Sequence, residues 1–281
     1  MDQVNFSAWV NRSETVQGDI SAEKAMLVHA VLGAHHSAAP RTGEMLPALW
    51  HWYAFPPAVP MADLSDDGHP RLGDFMPPLR LNRRMWAGGR LEFLAPLHVG
   101  EALQRHTRIV DISEKVGKTG EMVLVRLEHE ISGEAGVAVR ERQDIVYMDI
   151  PQSYRPPTPI PAPERSDVSE DLAVTTPLLF RYSAVTFNAH RIHYDLTYTQ
   201  EVEHYPDLVV HGPLQANVLM DLATRHRGKA PKTFSYRGVH PAFCGDALRS
   251  VAVKKSETEW TLATVANGTH QCLQATAVWE G

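Results

Sequence analysis

Apolar and polar side chains alternate through residues 121–131, with Val123, Val125, Leu127 and Ile131 on one face and Leu124, Arg126, Glu128 and Glu130 on the other. A period of two with one wet face predicts a strand that covers a core on one side only. Residues 104–112 and 136–148 have the same long β-like character, so three consecutive strands are expected. A second trio follows near the C-terminus, at 247–255, 259–265 and 271–279. Between the trios, residues 180–187 read as a further strand and 214–223 as an apolar helix opened by Gly212-Pro213. Proline suits a first helical turn, where its missing N–H has no partner to lose.

Similar blocks introduce the two trios. Pro96-Leu97-His98-Val99-Gly100-Glu101-Ala102-Leu103 aligns without a gap to Pro241-Ala242-Phe243-Cys244-Gly245-Asp246-Ala247-Leu248, and Glu101 matches Asp246 in charge. A Pro/Gly turn ahead of antiparallel strands, twice over, predicts duplicated α+β units. Between them lie Pro151, Pro156, Pro157, Pro159, Pro161 and Pro163. Proline at this density withholds backbone donors and favours extended chain. Residues 151–170 are therefore expected as a semi-rigid connector between a unit at 1–150 and one at 171–281.

The chain has 281 residues and 43% hydrophobic content, enough for one large core or two ordinary ones. A formal charge of −6 speaks against a nucleic-acid partner, which would require a basic face. Cys244 and Cys272 are too few for a disulfide framework and are expected as reduced thiols. The longest apolar stretch, 25–34, contains His29 and is too short to span a bilayer. The first residues show no basic segment followed by an apolar one. A soluble, cytoplasmic protein with no signal peptide and no membrane partner is expected.

Candidate chemistry is concentrated at 188–195, where Asn188, His190, Arg191, His193, Tyr194 and Asp195 follow the 180–187 run. Groups this polar are costly to bury without partners, so they are expected to face a cleft. Downstream, His211-Gly212-Pro213 precedes the predicted helix, whose free first-turn N–H groups suit a developing oxyanion. A histidine titrating near neutrality beside such a donor is what chemistry on a thioester carbonyl compound requires.

Residues 186–193, Thr-Phe-Asn-Ala-His-Arg-Ile-His, resemble the signature of the MaoC-like hydratases and dehydratases of the hot-dog fold. Ile192 and His193 agree with it. Asn188 stands where that family has its catalytic Asp, and His190 and Arg191 replace an Asn-Pro pair. The variant FNAHRIHYD resembles the branch of mitochondrial-type hydroxyacyl-thioester dehydratases and mesaconyl- or itaconyl-CoA hydratases. So do Asp67-Gly68-His69-Pro70 and the run from Arg83 to Gly89. The resemblance implies a tandem hot-dog, two antiparallel sheets each wrapped around a helix and set edge to edge. The active site is then C-terminal, and the N-terminal half helps to hold acyl chain and coenzyme A.

The implied activity is reversible hydration of an enoyl-CoA, with no cofactor beyond the coenzyme A thioester itself and a homodimer allowed. His193 would be the base and the Gly212 N–H the enolate donor. Asn188 can hold the water but can neither accept nor return its proton, which leaves His193, His190 or Tyr194 to carry it. His211 either touches the substrate or staples the helix. Arg80, Arg83, Arg84 and Arg90 around Trp86 suit phosphate or carboxylate recognition, and the indole could stack on adenine. Surplus arginine near the site, Arg84 and Arg191, favours a branched C5-dicarboxylyl-CoA over a medium-chain acyl thioester. Fifteen histidines raise a metal alternative, from His190, His193 and Asp195 or from His29, His35 and His36. Neither set has the spacing of a zinc site, and no metal is expected. A hot-dog thioesterase would need Glu201 or Glu203 at a helix. A non-enzymatic acyl-thioester module would have no need of the Asn188/His193 pair.

Overall fold

The alternating stretch at 121–131 becomes the middle of a meander, β3 (Ala102–Gly117), β4 (Gly120–Gly133) and β5 (Gly136–Met148). The second trio is β8 (Ala247–Lys254), β9 (Glu259–Ala266) and β10 (His270–Val278). Both meanders enter through matching turns with a left-handed glycine, Gly100 at φ 88° and Gly245 at φ 86°, a conformation that glycine adopts without steric cost. In this computed structural model residues 5–33, 38–117 and 120–281 are described. His35 and His36 lie outside them.

Each meander gains two strands that the hydrophobic pattern did not announce. β1 (Ser13–Asp19) and β6 (Val168–Ala173) are short outer strands on β3 and β8. β2 (Arg83–Phe93) and β7 (Thr233–Gly238) flank β5 and β10 on the inner side. The order β1-β3-β4-β5-β2 in the first half therefore repeats as β6-β8-β9-β10-β7 in the second. Antiparallel pairing of β2 with β7, from Gly88↔Arg237 to Glu92↔Thr233, fuses them into one ten-stranded sheet. This is a double hot-dog. The connector between β5 and β6 carries no helix or strand, and β6 begins inside the stretch expected as linker.

Helix α4 (Gly212–Arg227) lies across the second half of the sheet, with Leu214, Leu219 and Leu222 fully buried. Burying a leucine contributes roughly 1.5–3 kcal/mol, which fixes the helix axially and so fixes its N-terminus. In the first half the core is filled by α1 (Ala22–Leu32) through Ala25 and Val28 and by Leu49, Trp50 and Tyr53. Among the described residues no helix as long as α4 lies there. The space is a long cleft lined by both halves.

Candidate active site

The 180–187 run is a helix, not the strand its aromatic and β-branched residues suggested: α2 spans Thr176–Thr186. The deciding signals lie upstream, where the Thr175 hydroxyl accepts the Leu178 N–H at 3.3 Å and Pro177 occupies the first turn. Phe187 ends the helix in a left-handed conformation, φ 53°. The polar segment therefore leaves a helix C-terminus, and its first residue, Asn188, folds it back by accepting the His190 backbone N–H at 3.0 Å.

His193 is buried, with Nδ1 2.7 Å from the Val209 carbonyl oxygen. A carbonyl can only accept, so Nδ1 carries the proton and Nε2 is left as a proton acceptor. Burial holds its pKa down at about 4, so the ring is neutral at physiological pH. It stacks on His211 at 3.6 Å and 19°. His211 is in turn fixed by Ser183, whose hydroxyl is 2.9 Å from its Nε2. Gly212 follows directly as the first residue of α4, so its N–H has no helical partner. A Cβ here would come within 2.6 Å of Trp86 Cε3, a close approach that only glycine permits.

Not every candidate arginine faces the cleft. Arg191 donates from Nε and Nη2 to Asp195 Oδ2 at 3.0 and 2.7 Å, donates to the Asp66 carbonyl, and lies over Tyr198. Its guanidinium is engaged by protein partners, which leaves the expectation that it meets a substrate carboxylate without support from the geometry. It braces the loop instead. Arg83 is buried and donates to Glu203 at 2.7 Å. Arg84, half-buried in the cleft, is the arginine whose charge acts on Asp67, His69 and His190. Trp86 stacks on Tyr236 at 4.1 Å and meets Trp52 edge-on. One face of its ring is thus taken within the protein, which argues against adenine stacking there and makes it a wall beside Gly212. Tyr194 lines the cleft while its hydroxyl donates to the Ala189 carbonyl at 3.0 Å.

The sequence reading gave the Asp67–Pro70 segment no role, yet it lies against His190. Asp67 Oδ2 accepts from His69 Nδ1 at 2.8 Å, and the His69 and His190 rings are 4.2 Å apart. Arg191 N donates to the Asp67 carbonyl at 2.9 Å. His190 is buried, with its Nε2 unpartnered and its pKa held well below the usual value by burial. Only contacts between distant segments reveal this arrangement, and no spacing in the chain encodes it.

Of the metal sets considered, His190, His193 and Asp195 do not converge, because Asp195 is committed to Arg191. Among the described residues, donor-type atoms gather within 4.8 Å at His240, His270 and Cys272 and at Asp67, His69 and His190. Both groups are already hydrogen-bonded internally, His270 Nε2 to His240 Nδ1 at 3.1 Å and His69 to Asp67.

A neutral histidine acceptor beside a free helix N-terminus, within a double hot-dog, suits proton transfer next to a stabilised thioester oxygen, the chemistry of a hydro-lyase. Residues 49–244 match the profile of the family described as hydroxyacyl-thioester dehydratase type 2. The chain is 42% identical over 244 residues to mesaconyl-C(4)-CoA hydratase of Chloroflexus aurantiacus, covering 86% of this chain and 87% of that one. It is 29% identical over 241 residues to the mitochondrial hydroxyacyl-thioester dehydratase type 2 of Schizosaccharomyces pombe, covering 75% and 78%. The fold superimposes on a MaoC-like dehydratase from Phytophthora capsici with a TM-score of 0.75 at 13% identity, covering 99% and 98%. The chain belongs to the hydroxyacyl-thioester dehydratase type 2 family and is an enzyme of the hydro-lyase class.

Proposed function

We propose that this enzyme reversibly hydrates a short branched C5-dicarboxylyl-CoA, mesaconyl- or itaconyl-CoA giving citramalyl-CoA. The observation that carries the chemistry is the tautomer of His193, an acceptor nitrogen buried one ring away from the start of α4. In the hydration direction His193 Nε2 takes a proton from water as its oxygen bonds to the β-carbon. The electron pair of the double bond moves to the thioester oxygen, which the Gly212 N–H and the N-terminus of α4 stabilise. Asn188 and His190 shape the water's pocket, and Trp86 closes it against Gly212.

The dicarboxylyl choice is supported by Arg84 in the cleft and by the identity to a mesaconyl-CoA hydratase. The polarity of the N-terminal wall supports it too. Buried Glu141 accepts from Trp52 and Gln143, and with His129 and Thr107 it lines the cleft. Such a wall is a poor bed for an aliphatic tail. A straight medium-chain 3-hydroxyacyl thioester is the second reading, favoured by the Schizosaccharomyces relative. Thioester hydrolysis has less support, since Glu203 is held by Arg83 and Glu201 is exposed.

A panel of crotonyl-, octenoyl-, mesaconyl- and itaconyl-CoA tests this, with enoyl absorbance and free thiol followed together. Loss of absorbance without thiol release, with a dicarboxylyl-CoA the best substrate by kcat/KM, is expected. Preference for octenoyl-CoA would select the second reading, and thiol release would reject both.

A further inference from the structure

Asn188 cannot carry a proton, so the proton that the α-carbon receives in hydration comes either from His193 itself or from a further group in the cleft. The N-terminal half supplies a group in the right place. His69 lines the cleft with its side chain 18% exposed, and Asp67 beside it is 14% exposed. Its backbone N–H and its Nδ1 both bond to the Asp67 carboxylate, at 2.9 and 2.8 Å. A carboxylate only accepts, so Nδ1 carries the proton and Nε2 is the nitrogen available for transfer. The same carboxylate steadies the imidazolium when Nε2 is protonated.

The loop carrying this pair is locked to the catalytic loop. A Cβ on Gly68 would lie 1.8 Å from the Ala189 carbonyl oxygen, so the backbones touch there. Arg191 ties both sides through its N–H to Asp67 O and its guanidinium to Asp66 O. His69 thereby sits 4.2 Å from His190, which is 5.4 Å from His193 by ring centroids. The interlock explains why Arg191 is spent on structure: it holds a residue of one half at the active site of the other.

We propose that His69, positioned by Asp67, is a second catalytic residue that exchanges the α-proton of the substrate while His193 handles the water. This rests on the hydratase reading above. In hydration, His193 Nε2 accepts a proton from water and the oxygen bonds to the β-carbon. The enolate so formed takes the Nε2 proton of the His69 imidazolium at its α-carbon. One water has been added, His69 is neutral and His193 protonated, and exchange with solvent resets both. In dehydration the steps reverse, and neutral His69 removes the α-proton. The titratable groups around the pair are Arg84 from β2, His190 and His193 from the catalytic loop, and, acting on Asp67, Tyr147 of β5, Tyr198 and Glu203. Burial first and then the charge of Arg84 lower the pKa of free His69, and Asp67 offsets part of that by favouring the imidazolium. A substrate carboxylate bound at Arg84 would relieve the effect of that charge in the loaded enzyme.

The test uses full-length protein with mesaconyl-CoA and the variants His69→Gln, Asp67→Asn and His193→Ala, with exchange of the product α-proton followed by NMR in D2O. His69→Gln is expected to lower kcat by about 10²–10⁴-fold and to abolish α-exchange, whereas His193→Ala keeps exchange while losing turnover. Asp67→Asn removes the charge that favours imidazolium, so the alkaline limb of the hydration profile moves to lower pH. That shift decides the matter if His69→Gln fails to fold by circular dichroism. A wild type that hydrates mesaconyl-CoA while His69→Gln stays within threefold and keeps α-exchange overturns the dyad alone. Wild-type inactivity on every enoyl-CoA overturns the hydratase reading, and the dyad with it. Activity lost to EDTA and restored by zinc would assign the cluster to a metal and also overturn the proposal.

Discussion

His193 differs from an ordinary core histidine in having one nitrogen committed to a main-chain carbonyl and the other left as an acceptor. Replacement by alanine is expected to lower kcat by about 10²–10⁴-fold, with circular dichroism unchanged; near wild-type turnover would reject its role as base. Asn188 has a second duty, the turn role that asparagine favours, accepting the His190 N–H to start the loop. A carboxylate can accept the same bond, so Asn188→Asp is expected to fold normally and keep substantial activity, whereas Asn188→Ala loses both turn and water. Arg84 and Arg191 were interchangeable on paper and are not in space. Arg84→Ala is expected to weaken kcat/KM for mesaconyl-CoA by about 1.5–3 kcal/mol, typical of a charged hydrogen bond, with little effect on crotonyl-CoA. Arg191→Ala is expected to impair both substrates alike, since it braces the loop through Asp195 and Asp66. Opposite patterns in the two variants would restore Arg191 as the carboxylate reader.

Among the elements, the first meander was legible because β4 alternates around one wet face, the second through its long apolar β-like runs, and α4 because Gly-Pro opens an apolar stretch. Two readings failed or were missing for different reasons. Helix α2 was taken for a strand because Tyr182, Val185 and Thr186 favour β structure locally, while tertiary burial of Leu179 and Tyr182 and the Thr175 cap decide otherwise. β2 was obscured by Gly88-Gly89 and its arginines, yet it is the seam on which the two halves join. There Arg83 crosses from the first half to Glu203 in the second, both nearly fully buried. Removing one partner leaves a buried charge, so Arg83→Ala is expected to cost about 3–5 kcal/mol, while the apolar pair Arg83→Met with Glu203→Leu should cost far less. Chemical denaturation of the three proteins checks this. A double variant as unstable as Arg83→Ala would mean that packing, and not charge, dominates at the seam.

At the scale of the whole molecule, the duplicated order of strands was foreshadowed by the Pro96 and Pro241 blocks, but the active site was legible only in part. Its C-terminal members lie within 25 residues of one another, whereas Arg84, Trp86, Asp67 and His69 arrive through the fold. That convergence gathers several buried histidines, and its consequence is sensitivity to acid. Burial holds His193 and, in the N-terminal half, His129 down at about 4 from 6.5, and lowers His190 and His211 as well. The folded state therefore binds fewer protons than the unfolded chain below pH 6.5. Stability is complete above that value and is lost as the pH falls toward about 4. Each tenfold weakening of proton binding corresponds to about 1.4 kcal/mol, so His193 and His129 each remove up to about 3 kcal/mol by pH 4. Free energies of unfolding measured from pH 7 to 4.5 are expected to fall steeply below pH 6.5. His129 belongs to neither proposed proton path, and its Nδ1 bonds the Thr107 hydroxyl at 2.8 Å. His129→Leu is thus expected to be less stable at pH 7, through the lost hydrogen bond, yet to show a shallower acid slope. An unchanged slope in that variant would mean that His129 is not among the groups that protonate on unfolding.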